Sequence, residues 1–272
     1  MSEIIQRAID KYKLVGVLLL FSGGHDSLCS THFSAQYLDK IDVSFKVYHG
    51  NTGIGIKATR EYVYSTCKQF GWELIEGHPP KGSTYEELVR RFGFPGPTRA
   101  SHQIMYRRLK ERALNRTVTH ILKSSPYARE NVLLLTGIRK DESRIRMSYT
   151  EPIQKVNSKI WCNPIFYNSK EWCERYMLDN NLPRNKVKDT ICISGECLCG
   201  AFAGKEEELE IQKFYPEDYA EILRLAAIAK ENGFEWGWSS GPTEWRKGRL
   251  KNKPRNMFMC VGCENKHQYE EL

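Results

Sequence analysis

Ser22-Gly23-Gly24-His25-Asp26-Ser27 stands between an apolar run and a helical pattern and carries the strongest chemical signal in the chain. Two glycines permit backbone conformations closed to other residues and leave room for a ligand to touch the main chain. The helix that follows turns its unpaired N–H groups and positive dipole end toward the loop. Ser22 and Ser27 add hydroxyl donors, so the junction reads as a phosphate pocket. Asp26 is the discordant member, because an acid in an anion site repels its ligand. Capping the helix, or sharing Mg²⁺ with the phosphates, would reconcile it. The segment is neither a Walker A loop nor a G-x-G-x-x-G turn. A plain tight turn with Asp26 as N-cap is the simpler alternative, but six specific residues favour phosphate binding. His25 is expected to face solvent from the loop.

Cysteine spacing is the second signal. Of nine cysteines, Cys192, Cys197, Cys199, Cys260 and Cys263 lie beyond residue 190, as C-x4-C-x-C and C-x2-C. Paired thiols on two separated Gly-flanked loops suit a tetrahedral sulfur site, and zinc and a 4Fe–4S cluster fit the spacing equally. Burial as small hydrophobes is the alternative. Cys29, Cys67, Cys162 and Cys173 fall at core spacing in helices or strands and read as structural. The odd count, with no export signal, argues against a disulfide framework.

The third signal is basic. Between Arg246 and Arg255 the chain holds six Lys/Arg and no acid, just after Trp236, Trp238 and Trp245. Cations beside aromatics suit a nucleic-acid backbone with bases stacked on the rings, and the alternative is a solvated loop with packed tryptophans. A second basic stretch, 106–116, reads as one face of an amphipathic helix. The formal net charge of +8 favours an anionic partner.

The 272 residues, 40% hydrophobic and 27% charged, have the composition of an ordinary globular protein. The longest apolar run, Val15–Phe21, is far too short for a membrane span, and the N-terminus has no signal-peptide pattern. A cytoplasmic protein with no membrane partner is expected. Strands over 15–21, 43–49, 72–76 and 131–137 alternate with helices over 27–39, 57–70, 85–92 and 101–114. That alternation predicts an α/β fold with a parallel sheet. A short strand follows near residue 160, then a helix from about Lys170, capped by Asn168 or Ser169. One further helical segment lies beyond Asp189. A boundary is expected near residue 188, between a nucleotide-binding domain (1–188) and a Cys-rich, basic region (189–272).

The loop S-G-G-x-D-S after the first strand resembles the PP-loop of the ATP pyrophosphatases, in particular their branch similar to phosphoadenosine-phosphosulfate (PAPS) reductase. Further segments match in order. "YHGNTG" resembles that branch's D-T-G loop, with Asn51, Thr52 and Gly53 in its place. "TGIRKDESRIR" resembles G-x-R-x-x-E-S, giving Gly137, Arg139, Glu142 and Ser143. "NPIFYNSKEWCERYMLDNNLP" resembles the P-I…W…Y…N-x-L-P segment. The resemblance covers roughly residues 14–200.

It implies a Rossmann-like adenine nucleotide α-hydrolase fold that binds ATP and Mg²⁺, or a sulfonucleotide, with attack at the α-phosphate. Ser22, Gly23, Gly24, Asp26, Ser27, Asn51, Thr52, Gly53, Gly137 and Arg139 would bind the nucleotide. Asp26, Arg139 and Glu142 would carry the chemistry, with Arg144 and Arg146 as weaker phosphate donors. Sulfur-inserting members often hold an iron–sulfur cluster, which tips the cysteine set toward 4Fe–4S over zinc. Two departures matter: His25 stands where many PP-loops have Lys, and the reductases' terminal E-C-G-(L/I)-H motif is absent. The expected activity is therefore adenylation of an acceptor oxygen, in nucleic acid, for replacement by sulfur. DNA phosphorothioation and tRNA thiolation are the analogues. A sulfur donor such as a cysteine desulfurase is the expected partner, possibly in a larger complex. The alternatives are a PAPS or adenylyl-sulfate reductase, and a non-catalytic nucleotide-sensing subunit that binds nucleic acid.

Overall fold

The apolar run after Lys13 forms β1 (Leu14–Leu20), whose last four residues are buried. β1 is an inner strand of a six-stranded sheet in the computed structural model, which describes residues 1–96, 98–126, 130–142 and 150–240. The other strands are β2 (Lys46–Gly50), β3 (Leu74–Gly77), β4 (Asn131–Leu135), β5 (Ile153–Val156) and β6 (Lys159–Cys162), in the order β3-β2-β1-β4-β6-β5. β2 and β4 run parallel to β1, and β6 runs parallel to β4. β5 pairs antiparallel with β6. β4, NVLLL, is buried at every position, as a strand covered on both faces must be.

By its internal contacts the chain divides into two units. The first (1–49, 61–77, 114–185) holds the sheet, with α1 (Ser2–Lys11), α2 (His25–Lys40), most of α3 (Lys57–Gln69), most of α6 (Arg112–Lys123) and α7 (Lys170–Asp179). Its core joins Leu19, Phe21, Leu28, Leu133, Ile160 and Met177. Cys29, Cys67, Cys162 and Cys173 are all buried there, as their spacing predicts. Desolvation pushes the Cys67 and Cys162 thiols up to about 12. The second unit (50–60, 78–113, 186–272) includes α4 (Tyr85–Phe92), α5 (Arg99–Met105), a π-helical turn (Tyr106–Glu111), α8 (Lys186–Ile191), α9 (Lys205–Phe214) and α10 (Pro216–Glu231). Ile54, Leu88, Leu109, Leu198, Ile211 and Leu225 form its own core. Among the described residues no helix is long and apolar enough to cross a membrane.

Several boundaries differ from those expected, each for a local reason. The helix expected over 101–114 runs from Arg99 to Lys123, interrupted by the π turn. An i→i+5 turn breaks the 3.6-residue phase that periodicity relies on. β5 was not expected: IQKV is polar, lies at the sheet edge and has no fully buried residue. Beyond Asp189, which lies within α8, the described residues form two helices where one segment was expected, α9 and α10, separated at Tyr215. Pro216 opens α10 and disfavours helical backbone in the residue before it. The basic stretch 246–255, Trp245, Cys260 and Cys263 lie outside the described residues.

Candidate functional site

In the first unit, the phosphate-pocket geometry starts where β1 ends. The Phe21 N–H still donates to Tyr48 O at 2.9 Å, extending the sheet by one residue. Gly23 then turns the chain at φ +85°, a conformation that favours glycine. Gly24 is the N-cap of α2 and provides no side-chain cap, so the first N–H groups of a 16-residue helix keep their capacity to bind an anion. The loop is internally braced. Ser27 Oγ donates to Gly24 O at 2.7 Å and accepts from Ser22 Oγ at 3.1 Å and the Ser22 N–H at 3.3 Å. Asn185 Nδ2 donates to Gly23 O at 2.9 Å.

Asp26 does not cap the helix. Its Oδ2 accepts from Arg139, at 3.0 Å from Nε and 2.9 Å from Nη2, in a pair whose side chains are 24% and 8% exposed. The acid that looked discordant in an anion site is therefore balanced by a guanidinium within the protein. Arg139 reaches it because Gly137 lets the segment after β4 come against the first turn of α2. A Cβ on Gly137 would stand 2.6 Å from Ser27 N and 2.7 Å from Asp26 O. The same approach is held by Ser30 Oγ, which donates to Thr136 O at 2.7 Å, while the Lys140 N–H ties the segment to the stretch after β6 by donating to Phe166 O at 2.7 Å. The structure thus brings Ser22, Gly23, Gly24, Asp26, Ser27, Gly137 and Arg139 together. Glu142 ends a short 3₁₀ turn (Lys140–Glu142). Its side chain, like Ser143, Arg144 and Arg146, lies outside the described residues.

His25 corrects an expectation. It is the first residue of α2 and is buried, not facing solvent, with Nδ1 3.8 Å from Glu174 Oε1. Arg184 hydrogen-bonds Glu174 at 2.8 Å and holds its carboxyl below the usual range against the opposing effect of burial; the charges of Arg184 and His25 assist. α7, which carries Glu174, is capped by Ser169, whose hydroxyl accepts from the Trp172 N–H. Glu174, Arg184 and Asn185 were not singled out from sequence. The loop partners of Glu174 and Asn185 lie about 150 residues upstream, and Arg184 enters through Glu174, so no local pattern marks them.

Asn51, Thr52 and Gly53 belong to the second unit. Asn51 Oδ1 accepts from the Gly53 N–H at 2.8 Å, with Gly53 at φ +75°. The loop is laced to the cysteine segment. Ile56 N–H donates to Gly195 O and Leu198 N–H to Ile54 O, each at 2.7 Å, and Thr52 Oγ1 reaches Glu196 O at 3.3 Å. Glu196 in turn accepts from Lys110 Nζ at 2.7 Å, with both side chains under a tenth exposed. This buried ion pair was not foreseen; the lysine was read as part of a solvated helix face.

Cys192 is exposed, Cys197 half-buried and Cys199 buried, and none of the seven described cysteines forms a disulfide. Tyr85 Oη donates to Cys199 O at 2.8 Å. Burial, then the neighbouring Cys199 and Cys197 thiols, push the Tyr85 phenol well above its ordinary range. Among the described residues no group of three or more His, Cys, Asp or Glu converges to hold a metal. Of the tryptophans expected to stack on bases, Trp236 and Trp238 pack within the second unit, the alternative reading. Trp238 is buried with Nε1 2.7 Å from Leu198 O, and Trp236 Nε1 donates to Phe94 O at 2.9 Å.

Known proteins bear on this arrangement. The chain is 24% identical over 257 residues to an uncharacterized protein of Methanocaldococcus jannaschii, covering 90% of this chain and 57% of that one, so it spans little more than half of that relative's length. The crystal structure of phosphoadenylyl-sulfate reductase from Candida auris, a phosphate complex, superposes with a TM-score of 0.50 at 15% identity, over 69% of this chain and 83% of that one. The U34-tRNA thiolase NcsA of Methanococcus maripaludis, with its [4Fe-4S] cluster, gives 0.46 at 14% identity over 93% and 89%. The fold is of the adenine nucleotide α-hydrolase type, α/β with a mostly parallel six-stranded sheet. Residues 16–267 match the phosphoadenosine phosphosulfate reductase domain, and the chain belongs to that family, within the ATP pyrophosphatase superfamily.

Proposed function

We propose that the protein is an ATP pyrophosphatase that adenylates an oxygen on a nucleic-acid acceptor, so that sulfur can replace that oxygen. The observation that supports this most is the pairing of an anion-ready α2 start with a guanidinium already fixed beside it by Asp26. Charge builds at the α-phosphorus as the acceptor oxygen bonds to it and pyrophosphate leaves. Catalysis of such a step is mainly positioning and electrostatics. The Gly23 and Gly24 backbone, the first turn of α2 and the Ser22 and Ser27 hydroxyls would hold the phosphates. Arg139 supplies the fixed positive charge that the loop lacks at position 25. Mg²⁺, when bound, neutralises phosphate charge, and partly exposed Asp26 is the carboxylate placed to hold it. A sulfur nucleophile from a donor such as a cysteine desulfurase would then displace AMP.

The cysteines Cys192, Cys197, Cys199, Cys260 and Cys263 are proposed to supply four ligands of a 4Fe–4S cluster. The three that are described form no metal-holding group by themselves, so no step of the mechanism runs through it. Anaerobic purification should give a brown protein with about four irons per chain, and Cys260→Ser should lose them. A colourless protein with stoichiometric zinc would contradict the cluster.

The test of function offers ATP, Mg²⁺ and total tRNA in one reaction, and PAPS with a thiol reductant in another. The proposal expects pyrophosphate and an acceptor adenylate from the first, with AMP released once sulfide is added, and no sulfite from the second. Sulfite without AMP would reassign the protein as a reductase, and nucleotide binding with neither product would leave a sensing role.

A further inference from the structure

We infer that the surface made by the end of α4 and the π turn of the second unit is where a nucleic-acid sugar–phosphate backbone docks. This rests on the proposed nucleic-acid acceptor and adds where that acceptor is gripped. Arg91 lies in the last turn of α4, which ends at Phe92, Arg107 and Arg108 come from the π turn, and Arg112 follows it. The Arg91 and Arg108 guanidinium carbons lie 5.1 and 5.2 Å from the centroid of the Phe92 ring, which is 37% exposed. One aromatic ring thus holds two cationic forks from different helices together at the surface. Arg112 Nη1 donates to Ser83 Oγ at 2.8 Å, which fixes a third.

Among the described residues none of the four arginines is in an ion pair, and the α4 acids face other partners. Glu86 is taken by Arg90 and Arg224, and Glu87 by Thr84. Desolvation, then Arg112, Arg91 and Arg107, hold Arg108 below its ordinary range, so those three lie within electrostatic reach of Arg108. The α4 dipole explains a cation at Arg91, in its last turn, but not the three that gather from the next element. Like charges held together repel, so such a cluster lowers stability unless an anion completes it.

Three features favour nucleic acid over other polyanions. All four cations are arginines, whose planar forks match phosphate bidentately. The guanidinium planes also offer stacking surfaces for unpaired bases. A lipid surface is disfavoured because the Phe92 ring, though partly exposed, lies against two guanidinium groups that would have to enter the apolar layer with it.

The test measures binding of a labelled single-stranded oligonucleotide and of total tRNA to the full chain across a salt series. Arg91→Gln, Arg107→Gln and Arg108→Gln combined should flatten the slope of log affinity against log salt by about 2, at roughly 0.7 per single-strand contact. The same three changed to Lys should keep the slope while affinity falls roughly tenfold, because charge remains and the fork is lost. Arg175→Gln, on the exposed face of α7, should leave both unchanged. An unchanged slope in the triple Gln variant overturns the proposal. So does loss of binding only to phosphatidylserine vesicles or poly-glutamate, which would assign the patch to a membrane or an acidic protein. The two readings fail separately. RNA binding lost in the triple variant, with no AMP formed from ATP by wild type, sinks the adenylation reading alone. AMP formation with an unchanged acceptor KM in the triple variant sinks the patch alone.

Discussion

Arg139 and Asp26 meet through two donors on a single carboxylate oxygen, Nε at 3.0 Å and Nη2 at 2.9 Å. The contact joins the segment after β4 to the first turn of α2, so the two ends of the candidate phosphate site move as one. An acid that would repel an anion is engaged instead by a cation of the protein.

If the pair acts as a unit, its members should not contribute independently. Asp26→Ala and Arg139→Ala are each expected to reduce AMP formation at least about a hundredfold. The double variant should be little worse than the poorer single one. Steady-state rates of the three variants check this, and additive losses would mean that the two residues serve separate purposes.

Gly137 makes the meeting possible, since a Cβ there would collide with α2 backbone. Gly137→Ala should lower unfolding free energy by about 1–3 kcal/mol through overpacking and should weaken ATP binding. Urea titration with calorimetric ATP binding tests both. Wild-type values in each would remove Gly137 from the site's architecture.

The buried Lys110–Glu196 pair fixes the cysteine segment to the π turn. Lys110→Met leaves a buried carboxylate without that cation and should lower stability by about 3–5 kcal/mol. Lys110→Met with Glu196→Leu should recover much of that loss. Denaturant midpoints of the single and double variants decide. A double variant less stable than either single one would contradict this account.

His32 supplies a pH dependence. Its ring lies between Phe70 and Tyr176 with Nδ1 2.9 Å from Tyr176 Oη, and burial lowers its pKa from 6.5. The unfolded chain takes up a proton that the folded one resists. The His32 contribution is therefore fully present above about pH 6.5 and is lost as the pH falls below it. Unfolding midpoints from about pH 8 to 5 should decline toward acid, with a smaller decline in His32→Gln. Parallel curves for the two proteins would show that His32 is not the titrating group.

Much of the first unit was legible because its signals are local. β4 reads as a continuous apolar run, and Gly23-Gly24 marks the turn between β1 and α2. α4 was placed to the residue, with Thr84 and Glu87 forming a capping box at its start. What was not legible depends on distant partners or broken phase. Asp26 looks like a cap until Arg139, 113 positions away, is seen to take its carboxylate. His25 looks like a loop residue until α7 covers it, and Lys110 looks solvated until the π turn rotates it onto Glu196.

The central claim is attack at the α-phosphorus of ATP, with pyrophosphate leaving. Its most direct measurement compares ATP labelled at the α position with ATP labelled at the γ position, each incubated with the protein, Mg²⁺ and total tRNA. The account predicts that α-label appears in AMP and in an acceptor adenylate, that γ-label appears only in pyrophosphate, and that Arg139→Ala suppresses both. Release of γ-label as inorganic phosphate, with α-label retained in ADP, would contradict it.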